Sequence, residues 1–198
     1  MKKIFFTLLF TSVLFAQTKS ILFLGDSLTE GYGLEKEEAY PALVGKRIKQ
    51  NLGLDIKIIN GGVSGSTTSD GLARLKWYLR AKPSIIFIAL GANDGLRGLN
   101  LEKSQQSLEA IIITAKKSGA KVLLAGMLIP PNYGENYFKK FNEMFKNLQT
   151  KHQLKTMPFL LQDVAGFKEL NQRDGIHPNV KGQKKVANNV YEFIKGEI

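Results

Sequence analysis

Five short apolar runs recur along the chain, and a helical pattern separates each run from the next. The runs are predicted as strands at residues 21–24, 56–60, 84–90, 121–127 and 158–162. Between them, apolar side chains recur at helical spacing, as at Leu108, Ile111, Ile112 and Ala115. Strands that alternate with helices form a parallel sheet covered by helices on both faces. The sequence therefore predicts one α/β domain of three α/β/α layers around a five-stranded parallel sheet.

Residues able to do chemistry follow the first three predicted strands. Ser27 follows the first strand, Gly65 lies in the loop after the second, and Asn93 follows the third. Open parallel sheets bind ligands outside the carboxyl ends of their strands, where the strand order reverses. If the order is the flavodoxin-like 2-1-3-4-5, the three loops are neighbours and Ser27 lies in the middle. This placement depends on the assumed order, because spacing alone does not establish it.

A carboxylate and an imidazole stand three residues apart near the end of the chain, at Asp174 and His177. With Ser27 they supply the three groups that nucleophilic acyl transfer needs. Pro178 suits the start of a helix, whose positive dipole end disfavours the imidazolium and keeps the ring available as a base. A turn and a helix cap would also explain each motif without any catalysis.

Acyl transfer also needs hydrogen-bond donors aimed at the developing oxyanion. Gly65 can present a backbone N–H at close range because it has no side chain, and Asn93 can offer its side-chain amide. Taken singly, either loop is better explained as a turn. Asp94 is predicted to hold the Asn93 loop, and His152, which lies on a helical stripe, is predicted to be structural.

Four ordered blocks of this chain resemble the GDSL or SGNH hydrolase family. They are GDSLTEGY at 25–32, NGGVSGSTT at 60–68, GANDGLRG at 91–98 and DGIHPN at 174–179. The resemblance runs from about residue 21 to the end. It is greatest to the small periplasmic acyl-thioesterases, arylesterases and lysophospholipases of Gram-negative bacteria.

The resemblance implies the SGNH hydrolase fold and a role for each matching residue. Ser27 would be the nucleophile, His177 the base and Asp174 the acid that orients it. The N–H groups of Ser27 and Gly65 and the side chain of Asn93 would form the oxyanion hole. Expected substrate contacts are Asp26 and, in the loop PNYG at 131–134, Asn132 and Tyr133. No metal or organic cofactor is implied.

Three functions remain open from the sequence. The first is a serine esterase or thioesterase that cleaves acyl chains through an acyl-enzyme, of the arylesterase, acyl-thioesterase or lysophospholipase type. The second is a carbohydrate esterase that removes acetyl groups from polysaccharide or peptidoglycan, with a polar groove in place of an apolar channel. The third is a flavodoxin-like binding module without catalysis, against which the complete set of reactive groups argues.

The N-terminus predicts export. Lys2 and Lys3 precede an apolar stretch that ends at Ala16, so residues 1–16 are predicted to be a signal peptide and residues 17–198 the hydrolase domain. An anchor that is not cleaved is the alternative. The predicted location is periplasmic or secreted.

The composition of the chain limits the kinds of site and binding partner that it can have. The chain has no cysteine, which excludes a cysteine nucleophile and thiolate metal sites. Its net charge of +11 comes from scattered lysines without a nucleic-acid motif. The sequence therefore predicts a monomer that acts on a small-molecule or lipid acyl ester, does not bind nucleic acid and contacts a membrane surface only transiently.

Overall fold

The computed structural model describes residues 19–198, so the signal peptide predicted at 1–16 lies outside the described residues. The strands are β1 (Ser20–Gly25), β2 (Lys57–Gly62), β3 (Ile85–Ala89), β4 (Lys121–Ala125) and β5 (Lys155–Met157). The helices are α1 (Ser27–Glu30), α2 (Tyr40–Leu52), α3 (Thr68–Tyr78), α4 (Ala92–Leu96), α5 (Leu101–Lys117), α6 (Glu135–His152) and α7 (Val180–Ile194). All strand pairs are parallel and the order is β2-β1-β3-β4-β5, which confirms the predicted sheet.

Helices cover the two faces of the sheet in two groups. On one face α2 packs against α7, and on the other face α3, α5 and α6 pack side by side. Phe23 of β1 and Phe87 of β3 stand in register on the first face. The ring of Phe23 meets Tyr40 of α2 edge-on, with 5.6 Å between ring centroids. Since both faces of the central strands are buried, β3 and all of β1 after Ser20 consist of apolar residues and glycine.

The fifth strand was predicted wrongly. The predicted run 158–162 forms turns, and β5 comes before it at Lys155–Met157. Pro158 has no N–H to donate to a sheet, so it ends the strand. Leu160 is fully buried because the turns fold back over the core, and its N–H donates to Gly126 O at 3.0 Å. The buried turns therefore have the same apolar sequence pattern as a strand. The other four strands overlap their predicted runs.

Two glycines bring α1 against the end of β2. Gly25 and Gly62 stand in register at the carboxyl ends of β1 and β2. A side chain on Gly62 would collide with the backbone nitrogen of Glu30 in α1, and one on Gly25 would collide with Thr29. Glycine at both positions lets the short helix sit directly on the edge of the sheet. None of the helices described between residues 19 and 198 is both long and apolar enough to cross a membrane.

Candidate active site

Ser27 is the first residue of α1, immediately after β1. Asp26 caps this helix, and its Oδ1 accepts a hydrogen bond from the N–H of Leu28 at 3.0 Å. Gly31 ends the helix after one turn in the left-handed conformation, with φ of 87°. The cap and the glycine stop fix a four-residue helix that holds the Ser27 hydroxyl at the carboxyl edge of the sheet.

His177 lies in a loop closed by a single antiparallel bridge between Asn171 and Pro178. The N–H of Gln172 donates to the carbonyl of His177 at 2.8 Å, which fixes the backbone at the histidine. The helix predicted to start at Pro178 is α7, which begins at Val180 with Asn179 as its cap. His177 is thus held by the bridged loop and precedes the helix rather than belonging to it.

Three side chains form one continuous line of hydrogen bonds. His177 Nε2 lies 2.9 Å from Ser27 Oγ, and His177 Nδ1 lies 2.8 Å from Asp174 Oδ2. The other carboxylate oxygen of Asp174 accepts the N–H groups of Ile176 and His177, each at 3.0 Å. Partial burial raises the pKa of Asp174, but these hydrogen bonds together lower it by more, so that the pKa falls to about 2. Asp174 is therefore ionised wherever a histidine can act as a base.

Three potential hydrogen-bond donors belong to residues that line the cavity at Ser27. Asn93 Nδ2 donates one hydrogen to the carbonyl of Ser66 at 3.0 Å, which orients the amide and leaves its second hydrogen. Within residues 19–198, the N–H groups of Ser27 and Gly65 donate to no protein acceptor. Gly65 has a φ of 77°, which glycine adopts without strain. Ser27, Gly65, Asn93 and His177 all line one cavity.

The cavity has a volume of about 640 Å³ and extends from Ser27 toward β4 and β5. Its far wall is apolar and consists of Met127, Leu128, Ile129, Pro130, Phe159 and Leu161. Apolar walls with a few polar groups at one end are typical of sites for small organic ligands. The arrangement can bind an apolar chain with a polar carbonyl at the serine.

The family model for the GDSL-like lipase/acylhydrolase family matches residues 23–185. The chain belongs to this family. It is 38% identical over 181 residues to esterase TesA of Pseudomonas aeruginosa, covering 91% of this chain and 90% of that protein. It is 34% identical to thioesterase 1/protease 1/lysophospholipase L1 of Escherichia coli, covering 87% of this chain and 81% of that protein. The crystal structure of the psychrotrophic esterase EstA from Pseudoalteromonas sp., inhibited by monoethylphosphonate, superimposes with a TM-score of 0.86 at 37% identity and covers 90% of this chain and 98% of that one.

In this GDSL-like hydrolase, hydrogen bonds of two charged side chains, Glu30 and Arg97, hold the Gly65 loop. Neither of them was predicted from the sequence. A carboxylate oxygen of Glu30 accepts the N–H of Ser64 at 2.8 Å and also the Ser64 hydroxyl. Arg97 Nη2 donates to the carbonyl of Gly65 at 3.0 Å. The loop is thus fixed between the segment that carries Ser27 and the segment that carries Asn93. The partners in each pair are more than thirty residues apart in the sequence, so no local sequence pattern predicts them.

The predicted substrate contacts fare differently in the structure. Asn132 and Tyr133 do not line the cavity, and the Tyr133 hydroxyl instead donates to the carbonyl of Leu96 at 2.8 Å. Asp26 borders the cavity, but only 1% of its surface is exposed. Burial raises the pKa of Asp26 to about 6, although the Leu28 N–H and the charges of His177 and Arg74 oppose this rise. The Asp26 carboxylate is therefore buried and caps α1, and its role as a substrate contact stays a prediction.

The two residues predicted to be structural have structural contacts. The buried carboxylate of Asp94 accepts the N–H and hydroxyl of Thr68, at 2.9 and 2.7 Å, and the hydroxyl of Ser104 at 2.7 Å. It thereby ties α4 to α3 and α5. His152 pairs with Glu109 at 2.8 Å, and neither residue lines the cavity at Ser27. Among the side chains of residues 19–198, no three of His, Asp and Glu lie close enough together to hold a metal ion.

Proposed function

We propose that this protein is a serine hydrolase that cleaves carboxylic esters or thioesters of acyl chains through an acyl-enzyme. The observation that carries the proposal is the line from Ser27 Oγ through His177 to Asp174 at the mouth of an apolar cavity. The names of its relatives, which are esterases and a thioesterase/lysophospholipase, agree with this chemistry.

The reaction begins when Ser27 Oγ attacks the acyl carbonyl. His177 Nε2 takes the hydroxyl proton as the new C–O bond forms, and it later gives that proton to the leaving group. Asp174, ionised and bonded to Nδ1, holds the ring in the tautomer whose Nε2 accepts a proton. Water then attacks the acyl-enzyme by the same steps, which releases the acid and restores Ser27.

The oxyanion of each tetrahedral intermediate is stabilised by three donors. These are the N–H groups of Ser27 and Gly65 and the second amide hydrogen of Asn93. Because they are fixed before the substrate arrives, they cost little reorganisation when charge develops. The bond from Asn93 to Ser66 and the bond from Arg97 to Gly65 supply that rigidity.

The cavity favours an acyl chain over an acetylated sugar. Its far wall presents aliphatic and aromatic side chains from the segments after β4 and β5, where a carbohydrate would need hydrogen-bonding groups. Three apolar side chains that line it are about half exposed to solvent: Tyr32 at 50%, Leu128 at 46% and Ile176 at 49%. An acyl chain entering the cavity would cover this apolar surface.

A labelling and substrate experiment tests the proposal. A fluorophosphonate probe should label the wild type but not Ser27→Ala, since only an activated serine reacts. Nitrophenyl esters from acetate to decanoate, an acyl-CoA and a lysophospholipid then define the substrate. Rates that rise with chain length support an acyl-chain hydrolase. Activity confined to acetate and acetylated polysaccharide would identify a carbohydrate esterase, and absence of labelling would leave only a binding function.

The predicted location and partners extend the same proposal. The proposed export rests on residues 1–16, and sequencing the N-terminus of protein taken from the periplasm and from the medium measures whether and where they are removed. Light scattering coupled to gel filtration tests the expected monomer. Flotation with vesicles tests transient membrane contact, which the half-exposed apolar side chains that line the cavity support.

A further inference from the structure

The phenol ring of Tyr32 lies against the imidazole ring of His177. Their centroids are 4.6 Å apart and the ring planes are inclined by 38°. Tyr32 is half exposed, whereas the His177 side chain is 16% exposed. The two hydrogen bonds of the imidazole lie in its plane, so the tyrosine ring covers a face that these bonds leave open.

The backbone of Tyr32 is fixed on both sides, which gives its ring a defined place. Its N–H donates to the carbonyl of Ser27 at 3.1 Å, and its carbonyl accepts Gln172 Nε2 at 2.7 Å. The same Nε2 also donates to the carbonyl of Pro178 at 3.1 Å. Gln172 therefore joins the segment that carries Ser27 and Tyr32 to the segment that carries His177.

The charge on the imidazole changes during the proposed reaction. The ring is neutral before attack and becomes an imidazolium when it takes the proton of Ser27. The charged groups that face it are two carboxylates, Asp174 on its own loop and Asp26 at the start of α1, together with the positive end of α7. An aromatic ring close to a cation attracts it through its quadrupole. Tyr32 is the aromatic group in that position.

We propose that Tyr32 is a positioning residue for His177. The phenol ring of Tyr32 stabilises the imidazolium that His177 forms as Ser27 loses its proton. This role rests on the hydrolase function proposed above. The proton moves from Ser27 Oγ to His177 Nε2 while the bond from Oγ to the acyl carbon forms, and then it moves to the leaving group. Tyr32 exchanges no proton, and its side chain acts only through the histidine.

Two substitutions at Tyr32 separate the aromatic ring from its bulk. Tyr32→Phe keeps the ring, whereas Tyr32→Leu keeps apolar cover without a π system. Phe167→Leu is the matched control, because Phe167 is also half exposed and adjoins the cavity residue Gly166 but has no aromatic contact with His177. The substrate is nitrophenyl acetate, whose short acyl group makes little use of the cavity wall.

The first readout is the acidic limb of the pH profile of kcat/KM. The second needs no substrate: proton NMR follows the titration of the imidazoles, and the chain has only two histidines, so His152→Gln completes the assignment. We expect Tyr32→Leu to move both midpoints to lower pH by about half a pH unit and to lower kcat about two- to fivefold. KM should change little, Tyr32→Phe should restore the wild-type profile, and Phe167→Leu should leave the midpoint in place.

Three results would overturn the role of Tyr32. A raised KM with unchanged kcat and midpoint would make Tyr32 a substrate contact only. A midpoint moved to higher pH would mean that the ring acts by excluding water from the imidazole. An unmoved midpoint in Tyr32→Leu, or in Tyr32→Met if the leucine variant melts early, would leave the ring no electrostatic part. Absence of hydrolysis by the wild type would instead overturn the proposed function. The NMR titration needs no substrate, so it still tests the effect of Tyr32 on His177 in that case.

Discussion

One aspartate ends the hydrogen-bonded line from Ser27 through His177 and another directly precedes Ser27, and their surroundings give the two opposite properties. Asp174 is partly exposed and accepts three hydrogen bonds, two of them from backbone N–H groups, and its pKa falls to about 2. Asp26 is buried, and burial raises its pKa to about 6. One of its oxygens caps α1, and the other has no hydrogen-bond partner within residues 19–198. The same side chain is thus stabilised as an anion in one block and destabilised as an anion in the other.

The contrast shows what each carboxylate contributes. The charge of Asp174 is supported by its own loop, so it is available to orient and stabilise His177. The charge of Asp26 opposes folding, because a buried carboxylate loses hydration that one backbone N–H does not replace. A motif that places aspartate beside the serine therefore does not by itself assign it a catalytic role. Environment, rather than residue type, separates the two.

The largest effect is expected at Asp174. Asp174→Asn should lower kcat by roughly 10⁴-fold, because an amide NH₂ would donate to His177 Nδ1 and leave a hydrogen on Nε2, which then cannot accept the serine proton. The backbone bonds to Ile176 and His177 can persist, so the melting temperature should change little. Steady-state kinetics and thermal melting check both. The control is Asp163→Asn, a surface residue paired with Lys185. A variant that keeps a tenth of kcat would contradict the orienting role.

A smaller loss is expected at Asn93, which separates catalysis from loop support. Its proposed donor meets charge that exists fully only in the tetrahedral intermediate, so Asn93→Ala should lower kcat by about 10²–10³-fold with little change in KM. Asn93→Asp should be no better, since a carboxylate repels the oxyanion. Measuring kcat, KM and melting temperature for both variants decides the matter. Loss of stability with kcat intact would show that Asn93 only braces its loop through Ser66.

At Asp26 the expected effect is on stability and has the opposite sign. The folded-state pKa lies above the ordinary value of 3.8, so the folded state holds the proton more tightly and stability falls as pH rises from 4 to 6. The full loss is about 3 kcal/mol at most. Asp26→Asn should remove this slope, because asparagine caps helices but does not ionise. The asparagine would lose the favourable charge interaction with the Arg74 guanidinium, which would reduce the stability that Asp26→Asn gains.

Denaturant unfolding of wild type and Asp26→Asn at pH 4, 5, 6 and 7 measures that slope. The advantage of the variant should grow across the series and level off above pH 6. Equal slopes for the two proteins would show that Asp26 titrates normally, and the contrast between the two aspartates would then collapse. Asp94→Asn is not a suitable control because that carboxylate accepts three hydrogen bonds. Asp163→Asn again serves, since it is exposed.

The smallest effect concerns the pH profile of activity. We expect kcat/KM to rise through about pH 6 to 7, the range in which a histidine base loses its proton. Asp26 titrates close to the same range, so the two groups must be separated. Asp26→Asn removes one negative charge that faces His177 and should move the limb by less than about one pH unit, toward lower pH. Disappearance of the limb in this variant would assign it to Asp26, and a flat wild-type profile from pH 5 to 9 would count against a histidine base.

The sequence predicted the features that repeat or lie within a short span. Alternating apolar runs predict the five-stranded sheet, and the blocks around Ser27, Asn93 and His177 contain residues that the structure brings to one cavity. The fifth strand was missed because a buried turn has the same apolar composition as a strand. The hydrogen bonds that Ser64 donates to Glu30 and that Gln172 donates to Tyr32 were missed because each joins distant segments. Burial of Asp26 was missed since a motif does not reveal which oxygen water can reach.

The hydrogen bond between Ser27 and His177 joins positions 150 residues apart, and this separation has a consequence for when activity appears. The serine is made early, but its base lies beyond the last strand, in the loop before α7. A growing chain could pair every strand of the sheet and still lack a proton acceptor. Hydrolytic competence would therefore arrive only once His177 has been made and the long-range pairings of the sheet have closed. Chains that stop before His177 would be inert toward the acyl esters around them, so turnover would report that the two distant segments have met.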